Sequence, residues 1–337
     1  MKKLSFSNKL IYFLNSLFAV LLLLSYAIPY IKPTAFPLIS TLSLFVPILL
    51  IINTLFLTYW LIGLRKQFLL SLLTLLLGFN FGTSFYRLSA MDIVSMPQTR
   101  IMSYNVRLFN LYNWIKEPDT KANLLDFIAD KNPDILCLQE YRPQERLEKL
   151  YPYKYIHFTD VKNKIGQAVF SKYPIISQGS LDFKDTANNA IYIDVVKNRD
   201  TLRVYNVHLE SLHINPEKEE LNKDNSQRLL KTIGSAFSKQ QEQVILVKNH
   251  VAKSTYKTII CADINNTAFS WAYKNLKNNF NDAFAETGSG FGTTYQFKHI
   301  PLRIDFILTD KNISVLNFKN YKVKYSDHYP IESRIDF

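Results

Sequence analysis

Three long apolar runs without any charged residue dominate the first 90 positions of the chain. They cover residues 11–31, 38–64 and 68–86. Because a helix of roughly 20 residues crosses the hydrocarbon core of a bilayer, each run is long enough to span one. Only short segments separate the runs, and short connections make consecutive helices antiparallel. The pattern predicts three transmembrane helices within residues 1–90.

From residue 99 to 337 the pattern changes to short apolar or alternating runs, after a linker predicted at residues 91–98. Runs rich in β-branched and aromatic residues that end at Gly, Pro, Asn or Asp are typical of strands. The predicted strands are Arg100–Tyr104, Ile135–Gln139, Tyr155–Phe158, Ala168–Ser171, Ala190–Val196, Leu202–Val207, Thr258–Ala262, Ile304–Leu308 and a final pair around Val323 and Ile331–Ile335. The predicted helices are Lys121–Asp130, Ser226–Lys248 and Ala268–Leu276, the last capped by Asn266 and Thr267. This mixture predicts a layered α/β domain built on stacked sheets.

The charge of the chain is divided unevenly between these two parts. The whole chain has 40 basic and 28 acidic residues, a net charge of +12. No acidic residue precedes Asp92, whereas seven of the 40 basic residues do, which leaves 33 basic and 28 acidic residues for the remainder. More than half of the net charge therefore flanks the apolar runs. The net charge is thus weak support for a nucleic-acid partner.

The basic residues around the runs also predict an orientation. If all three runs span the membrane, two basic residues, Lys32 and Arg87, lie on the side opposite the N-terminus. The other five lie on the same side as the N-terminus: Lys2, Lys3, Lys9, Arg65 and Lys66. Cytoplasmic loops carry the excess of Lys and Arg, so residues 99–337 are predicted to lie outside. We therefore predict an integral protein of a bacterial inner membrane, with the bilayer as its partner. A cleaved signal peptide is disfavoured because no small-residue cleavage site follows residues 26–29.

Polar residues recur at the ends of the predicted strands. They are Asn105, Glu140, His208, Asp263 with Asn265, Asp305, and Asp327 with His328. Side chains at strand ends can converge on one cleft, where sites in α/β sheets commonly form. Each is a weak signal alone, because a carboxylate after a strand is usually a solvated loop residue. Six such places in order predict one polar site.

In this order the pieces closely resemble the endonuclease/exonuclease/phosphatase superfamily, the DNase-like metal-dependent phosphohydrolases. The matching pieces are Ser103–Val106, Leu138–Glu140, Asn206–Leu209, Ala262–Asn265, Arg303–Phe306 and Ser326–Pro330. The resemblance covers essentially all of residues 99–337 and implies a four-layer α/β sandwich, with two packed sheets and outer helices. The family usually has Gly-Asp-Phe-Asn where this chain has Ala262-Asp263-Ile264-Asn265, so the carboxylate and the amide are kept.

Hydrolysis of a phosphate ester needs charge neutralised at the phosphoryl oxygens, a deprotonated water and a stabilised leaving oxygen. Hard oxygen ligands suit Mg²⁺ or Mn²⁺, which need only one or two carboxylates, and the sequence has no Cys/His cluster for zinc. Glu140 is the first expected ligand, as the resemblance also implies, with Asp327 second and Asn105 in support. The predicted cofactor is Mg²⁺, with Mn²⁺ as the alternative.

The acid–base residues are expected at two places. Adjacent side chains diverge, so Asp327 cannot easily orient its neighbour His328; the resemblance implies Asp305 for that role. An Asp–His pair fixes the tautomer and stabilises the imidazolium. Either this pair or Asp263 would activate the water, and the sequence does not choose between them.

The remaining residues are expected to contact the phosphate. His208 would bind it or protonate the leaving oxygen, Asn265 would donate to a phosphoryl oxygen, and Asn105 would help to bind it. The glycine-rich segment 288–295 is either part of the substrate entrance or a plain loop.

The predicted function is a membrane-anchored phosphodiesterase that acts on nucleic acid, a phospholipid headgroup or a small phosphoester. A phosphomonoesterase and a catalytically silent binding module of the same fold are the alternatives, and no protein partner is evident. A channel or transporter is disfavoured because the three runs contain no ionisable Asp, Glu, Lys, Arg or His.

Overall fold

The structure, a computed structural model, describes residues 4–88, 98–212, 223–297 and 300–337. The predicted linker, residues 91–98, lies outside these ranges except for Gln98 at its end. Within them the chain divides into a helical N-terminal region and an α/β region that begins at Thr99.

The N-terminal region consists of short and medium helices. They are α1 (Phe6–Ser25), α2 (Pro37–Ser40), α3 (Val46–Ile62), α4 (Phe68–Leu77) and α5 (Phe79–Phe85), with 3₁₀ turns at Ile28–Tyr30 and Thr41–Leu44. By length and composition one helix, Phe6–Tyr30, could cross a membrane, and the pair Pro37–Leu44 and Val46–Ile62, bent by 56°, would be a second if it counts as one span. The described residues therefore do not support the prediction of three spanning helices.

A proline and a glycine explain why the apolar runs are longer than the helices. Pro47 lies in the first turn of α3, and a proline lacks the backbone N–H and restricts the residue before it, so the run 38–64 breaks there. Gly78 follows α4 and divides the run 68–86 into helices of 10 and 7 residues. Hydropathy alone detects neither break.

The α/β region contains two six-stranded sheets. Its strands are β1 (Thr99–Asn105), β2 (Ile135–Tyr141), β3 (Tyr153–Asp160), β4 (Ile165–Ser171), β5 (Ile175–Ser180), β6 (Ala190–Lys197), β7 (Asp200–His208), β8 (Lys257–Asp263), β9 (Phe280–Asp282), β10 (Tyr295–Phe297), β11 (Ile300–Leu302), β12 (Asp305–Asp310), β13 (Ser314–Asn320) and β14 (Ile331–Asp336). The first sheet has the order β13-β14-β1-β2-β4-β3 and the second β5-β6-β7-β8-β12-β9, while β10 and β11 form a hairpin.

Helices cover the outer faces of the two sheets. They are α6 (Thr120–Lys131), α7 (Glu145–Leu150), α8 (Lys223–Val251) and α9 (Trp271–Lys277). A short helix, α10 (Ala283–Thr287), instead buries Ala283 and Phe284 in the core between the two sheets. Ile101 and Ile135 of the first sheet meet Val204 and Ile259 of the second in one buried core. Separate cores bury α6 and α7 on the first sheet, and α8 and α9 on the second. The predicted four-layer sandwich of two packed sheets and outer helices is confirmed.

Two predicted elements differ from the structure. Helix α9 starts later than expected, because Ser270 is its cap and accepts a hydrogen bond from the Tyr273 N–H at 3.1 Å. The strand expected around Val323 is absent from the described chain; β13 lies earlier and is followed by a connection from residue 321 to 330. The buried apolar residues that a strand needs lie in β13 (Leu316 and Phe318).

The strand register brings the ends of five strands together. Strands β1 and β2 are parallel, as are β7 and β8, so their carboxyl ends lie at one edge of each sheet. Strand β12 runs antiparallel to β8, and its first residue, Asp305, is paired with the last residue of β8, Asp263. Asp305 thus reaches the same edge from the amino end of its strand, which the sequence alone did not indicate.

The N-terminal region contacts the α/β region directly beside this edge. The Ser43 hydroxyl donates to Asn266 Oδ1 at 3.0 Å, and Thr267 donates to the Ser43 carbonyl at 2.9 Å. Arg303, two residues before Asp305, donates to the Ser84 carbonyl at 3.0 Å. The strand ends are therefore bonded to the helical region on two sides.

Candidate active site

Asp263 is the centre of the polar cluster at the strand ends. It is fully buried at the end of β8. Its Oδ2 accepts a hydrogen bond from Asn105 Nδ2 at 2.9 Å and lies 3.5 Å from His208 Nε2 and 3.7 Å from His328 Nε2. Its Oδ1 accepts the backbone N–H of Asn265 at 3.0 Å. The Asp263 carboxylate therefore lies next to four other predicted site residues.

Asn105 is a bridge between two carboxylates. Its Nδ2 donates both to Asp263 and to Glu140 Oε1, the latter at 3.1 Å. Its Oδ1 accepts the backbone N–H of Arg107 at 3.0 Å. The amide is thus bonded on both sides to protein groups, and it holds the ends of β1, β2 and β8 together across the two sheets.

Glu140 is presented by an irregularity in β2. The register between β2 and β4 shifts between Leu138 and Tyr141, and Glu140 has a φ of +50°, in the left-handed region. A β-bulge re-aims a side chain and is frequent beside active sites. The half-buried Glu140 carboxylate is turned in this way towards Asn105.

His328 and Asp305 form a buried ion pair. The Nδ1 of His328 lies 3.0 Å and 3.2 Å from the two carboxylate oxygens of Asp305. Burial lowers the pKa of His328, but the nearby Asp305 and Asp263 carboxylates outweigh it and raise that pKa well above its usual range. Burial raises the pKa of Asp305 to about 6, although the His328 charge opposes this shift. At neutral pH we expect a protonated imidazole between two carboxylates.

His208 and Asn265 lie on the other side of Asp263. His208 Nε2 is buried and has no hydrogen-bond partner among the described residues. Asn265, with a φ of +48°, donates from Nδ2 to the Leu209 carbonyl at 3.0 Å. Because a primary amide has a second N–H, Asn265 keeps one donor. Both residues can therefore donate to an acceptor beside Asp263.

Asp327 lies at the rim of the cluster. Its Oδ2 is 3.3 Å from Nε of Arg107, and its Oδ1 lies 3.2 Å from the Ser326 hydroxyl. Because a hydroxyl has one proton, Ser326 donates it either to Asp327 or, at the shorter distance of 2.8 Å, to the Asn105 carbonyl. Asp327 is thus connected to the other residues through Arg107 and Ser326.

Two residues in the site were not predicted from the sequence. Arg107 directly follows the first motif piece, so its position was the signal that could have identified it. Tyr295 packs its ring on His328 with the centroids 5.0 Å apart. Burial raises the pKa of Tyr295 to about 12, helped by Asp327 and opposed by Arg107. It belongs to the segment 288–295, for which the sequence left open a part of the substrate entrance or a plain loop.

The donor atoms of this cluster fit a divalent cation. Asp263, Asp305 and His328 each offer one atom within 4.8 Å of the others, so this group could hold a metal ion. The raised pKa of His328 keeps its imidazole protonated, so the carboxylate oxygens of Asp263 and Asp305 are the better metal ligands. Glu140 adds a carboxylate with a single hydrogen bond among the described residues. Hard oxygen donors of this kind suit Mg²⁺ or Mn²⁺.

Comparison with protein families matches residues 102–328 to the Endonuclease/Exonuclease/phosphatase family. The chain belongs to this family. Residues 8–85 match a separate domain of unknown function (DUF8431). Family membership, together with the cluster of carboxylates and histidines, supports a hydrolase that acts on phosphoester bonds.

Several solved structures share the fold. Similar structures include D. rerio TDP2 complexed with single-strand DNA product, with 16% identity over 72% of this chain and 100% of that chain and a TM-score of 0.53. The human Nocturnin catalytic domain with bound sulfate anion has 18% identity over 73% and 97% and a TM-score of 0.54. An endonuclease/exonuclease/phosphatase from Bacteroides vulgatus has 17% identity over 71% and 99% and a TM-score of 0.55. Comparison with curated protein sequences gives no significant match.

Proposed function

We propose that the protein is a membrane-anchored, divalent-metal-dependent phosphodiesterase. The observation that carries the catalytic part is the buried Asp263 carboxylate, which lies between Asn105, His208 and His328. Such a cluster combines a proton acceptor, a paired imidazolium and amide donors in one place. These are the groups that phosphoester hydrolysis requires besides the metal.

The proposed metal ligands are Glu140 and Asp327, with Asn105 in support through the second lone pair of its carbonyl oxygen. When bound, Mg²⁺ or Mn²⁺ would neutralise the charge on the phosphoryl oxygens. Asn105 also spaces Glu140 from Asp263, because its Nδ2 donates to both carboxylates. The positions of the two carboxylates are therefore fixed before any cation binds.

The proposed proton acceptor is Asp263. A His328 that is already protonated cannot take a proton from water, whereas the Asp263 carboxylate, 3.7 Å from His328 Nε2, can. Asp305 holds the imidazolium in place through Nδ1. The imidazolium then stabilises the negative charge that develops on the phosphoryl group.

The proposed phosphate donors are His208 and Asn265. The buried Nε2 of His208 has no partner among the described residues, and an orphaned polar atom in a buried site costs free energy unless a ligand satisfies it. Asn265 retains one amide N–H. Both would donate to phosphoryl or leaving oxygens.

The catalytic proposal predicts metal-dependent turnover. The full chain, purified in detergent, should hydrolyse bis-p-nitrophenyl phosphate with Mg²⁺, and excess chelator should lower the rate roughly 100-fold or more, because a bound cation supplies several kcal/mol of charge stabilisation. Added Mg²⁺ should restore the rate. A rate that is insensitive to chelation would contradict the proposed metal dependence, and faster hydrolysis of p-nitrophenyl phosphate would favour a phosphomonoesterase.

The membrane anchor is supported by the exposed apolar side chains of the N-terminal helices. Leu24, Leu55 and Leu73 are 60%, 63% and 58% exposed, and residues 1–91 contain no acidic side chain. Apolar side chains on the outside of a helical region would be unfavourable in water, whereas lipid chains solvate them.

The interior of the same region combines buried apolar residues such as Leu22 and Val46 with buried polar side chains that make hydrogen bonds. Asn15 is fully buried; its Nδ2 donates to the Ser71 hydroxyl at 2.7 Å, and its Oδ1 accepts from Trp60 Nε1 at 3.0 Å. Asn53, also fully buried, donates to the Phe18 carbonyl at 3.1 Å. Polar contacts inside and apolar residues outside are typical of helices packed in a bilayer. We therefore propose residues 4–88 as the anchor.

The anchor proposal predicts that the full chain stays in the membrane pellet after alkaline carbonate extraction. Because the apolar helices supply the attachment, a chain that lacks residues 1–88 should pass to the supernatant. Release of the full chain would contradict the proposal. An alkaline-phosphatase reporter fused after residue 98 tests the proposed outer orientation, and an inactive but expressed reporter would reverse it.

A further inference from the structure

The backbone turns in an unusual way directly after β1. Arg107, Leu108, Phe109 and Asn110 have φ values of +41°, +52°, +54° and +58°, and none of them is glycine. Consecutive L-residues rarely adopt the left-handed region. Such strain persists where the surroundings hold it, and it clusters at functional sites. The turn lies beside Asn105 and therefore at the edge of the candidate active site.

Three contacts hold this turn in place. Phe109 is buried with its ring 5.9 Å from that of Tyr141. Asn110 Nδ2 donates to the Ile115 carbonyl at 2.9 Å, and the Ile115 N–H donates back to Asn110 Oδ1 at 3.0 Å. The Arg107 N–H donates to Asn105 Oδ1 at 3.0 Å. The loop is thus closed at both ends and fixed to the core.

The turn directs Arg107 between the catalytic cluster and two exposed aromatic rings. Its Nε lies 3.3 Å from Asp327 Oδ2, and its guanidinium carbon lies 4.5 Å from the centroid of the Trp114 ring. Tyr112 packs edge-on against Trp114, with the centroids 5.0 Å apart. Trp114 is 38% exposed and Tyr112 63% exposed. We call Tyr112 and Trp114 the aromatic platform.

We propose that Arg107 and the aromatic platform form a subsite for the nucleobase of a nucleoside phosphodiester, next to the scissile phosphate. This inference rests on the proposed phosphodiesterase function. Stacking on exposed aromatic rings, with an arginine beside them, is how proteins bind unpaired bases. The single guanidinium group between Asp327 and Trp114 places the platform beside the reacting phosphate.

A lipid substrate fits this subsite less well. Lipid chains gain free energy from an apolar cavity, and the cavity of about 750 Å³ with such a lining lies between α3, the segment 85–88 and Phe291. None of the candidate active-site residues is among those that line it in the described chain. The aromatic platform, in contrast, has the charged Arg107 guanidinium against Trp114, and Arg107 connects it to Asp327.

The test compares two phosphodiesters with the same leaving group, the p-nitrophenyl esters of thymidine 5′-phosphate and of methyl phosphate. The full chain in detergent with Mg²⁺ should have a higher kcat/KM for the thymidine ester. Trp114→Ala should lower the ratio of the two values by roughly 5- to 150-fold, the range expected for one stacked base. Trp114→Phe should restore most of the ratio, and Tyr153→Ala, a control on the edge strand β3 with an equally exposed ring, should leave it unchanged.

A binding measurement tests the nucleobase subsite independently of the proposed phosphodiesterase activity. Calorimetric titration with thymidine 5′-monophosphate and with methyl phosphate should give a Kd ratio that falls in Trp114→Ala by a similar factor. If this ratio falls while no ester is hydrolysed, the subsite is supported and the phosphodiesterase function is contradicted. If Trp114→Ala leaves both ratios unchanged, or if the wild-type chain prefers short-chain phosphatidylcholine to the thymidine ester, the subsite is overturned.

Discussion

Asp263→Asn is expected to lower the kcat of phosphodiester hydrolysis by roughly 10³-fold or more, the upper part of the range for an acid–base group. The substitution removes the acceptor to which Asn105 donates and one of the two carboxylates that face His328. An amide in this place cannot take a proton from water. The kinetic constants of the full chain on bis-p-nitrophenyl phosphate with saturating Mg²⁺ measure the effect.

Asp200→Asn is the matched control for this substitution. Asp200 begins β7 in the same sheet, at the opposite end from Asp263, and it is exposed. The same change of carboxylate to amide there should leave kcat within a factor of two. A kcat of Asp263→Asn within tenfold of wild type, at an unchanged melting temperature, would contradict the role of Asp263 as proton acceptor.

Asp305→Asn is expected to lower kcat by roughly 10²- to 10³-fold and to change the pH dependence of the reaction. In the wild-type protein the pKa of His328 is raised well above its usual range, despite its burial, by Asp305 and Asp263. The imidazolium is therefore present at neutral pH and is lost as the pH rises through that raised pKa. Without the Asp305 carboxylate, burial lowers the pKa of His328 with less opposition. The alkaline limb of the pH–rate profile should therefore move to lower pH.

The acid limb of the wild-type pH–rate profile is expected to depend on the protonation of Asp305. The pKa of Asp305 is raised to about 6 by burial, so the wild-type rate should fall as the pH decreases below about 6 and Asp305 becomes protonated. Because the two groups interact strongly, both limbs belong to the pair. A pH–rate profile of Asp305→Asn with an alkaline limb at the same or higher pH than wild type would contradict the ion-pair assignment. Asp336→Asn, on β14, serves as the control.

The layers of the α/β region were predictable because each strand is a short apolar run with a distinct end. Leu136, Val204 and Ile260 lie inside runs that alternate or are fully buried, and the two sheets follow from them. The N-terminal helical region was less predictable. The apolar runs continue through Pro47 and Gly78, but the helices are interrupted there. The length of the uninterrupted helices decides how many of them could span a membrane.

The residues of the site were easier to predict than their contacts. The sequence predicted Asn105 as a supporting metal ligand and a phosphate contact. It did not predict that Nδ2 of Asn105 donates to two carboxylates, because this contact depends on how the two sheets pack. Tyr295, in a glycine-rich segment, packs on His328. Arg107 is oriented by a left-handed turn that contains no glycine, so the sequence gives no sign of the turn. Such conformations are fixed by tertiary contacts such as that of Phe109 with Tyr141, so local sequence does not reveal them.

The pairing of Asp305 with Asp263 also determines where the sequence of such enzymes can change length. The two residues are held opposite each other by β8 and β12, and a shift of one residue within either strand would turn Asp305 to the other face of the sheet. The chain between them, residues 264–304, contains α9, β9, α10 and the β10–β11 hairpin, and β9 itself pairs with β12. Insertions and deletions in the connections between these elements, away from Asn265, β9 and Tyr295, would leave the pairing intact. We therefore expect homologues to differ in length mainly there, while the two strands keep a constant number of residues.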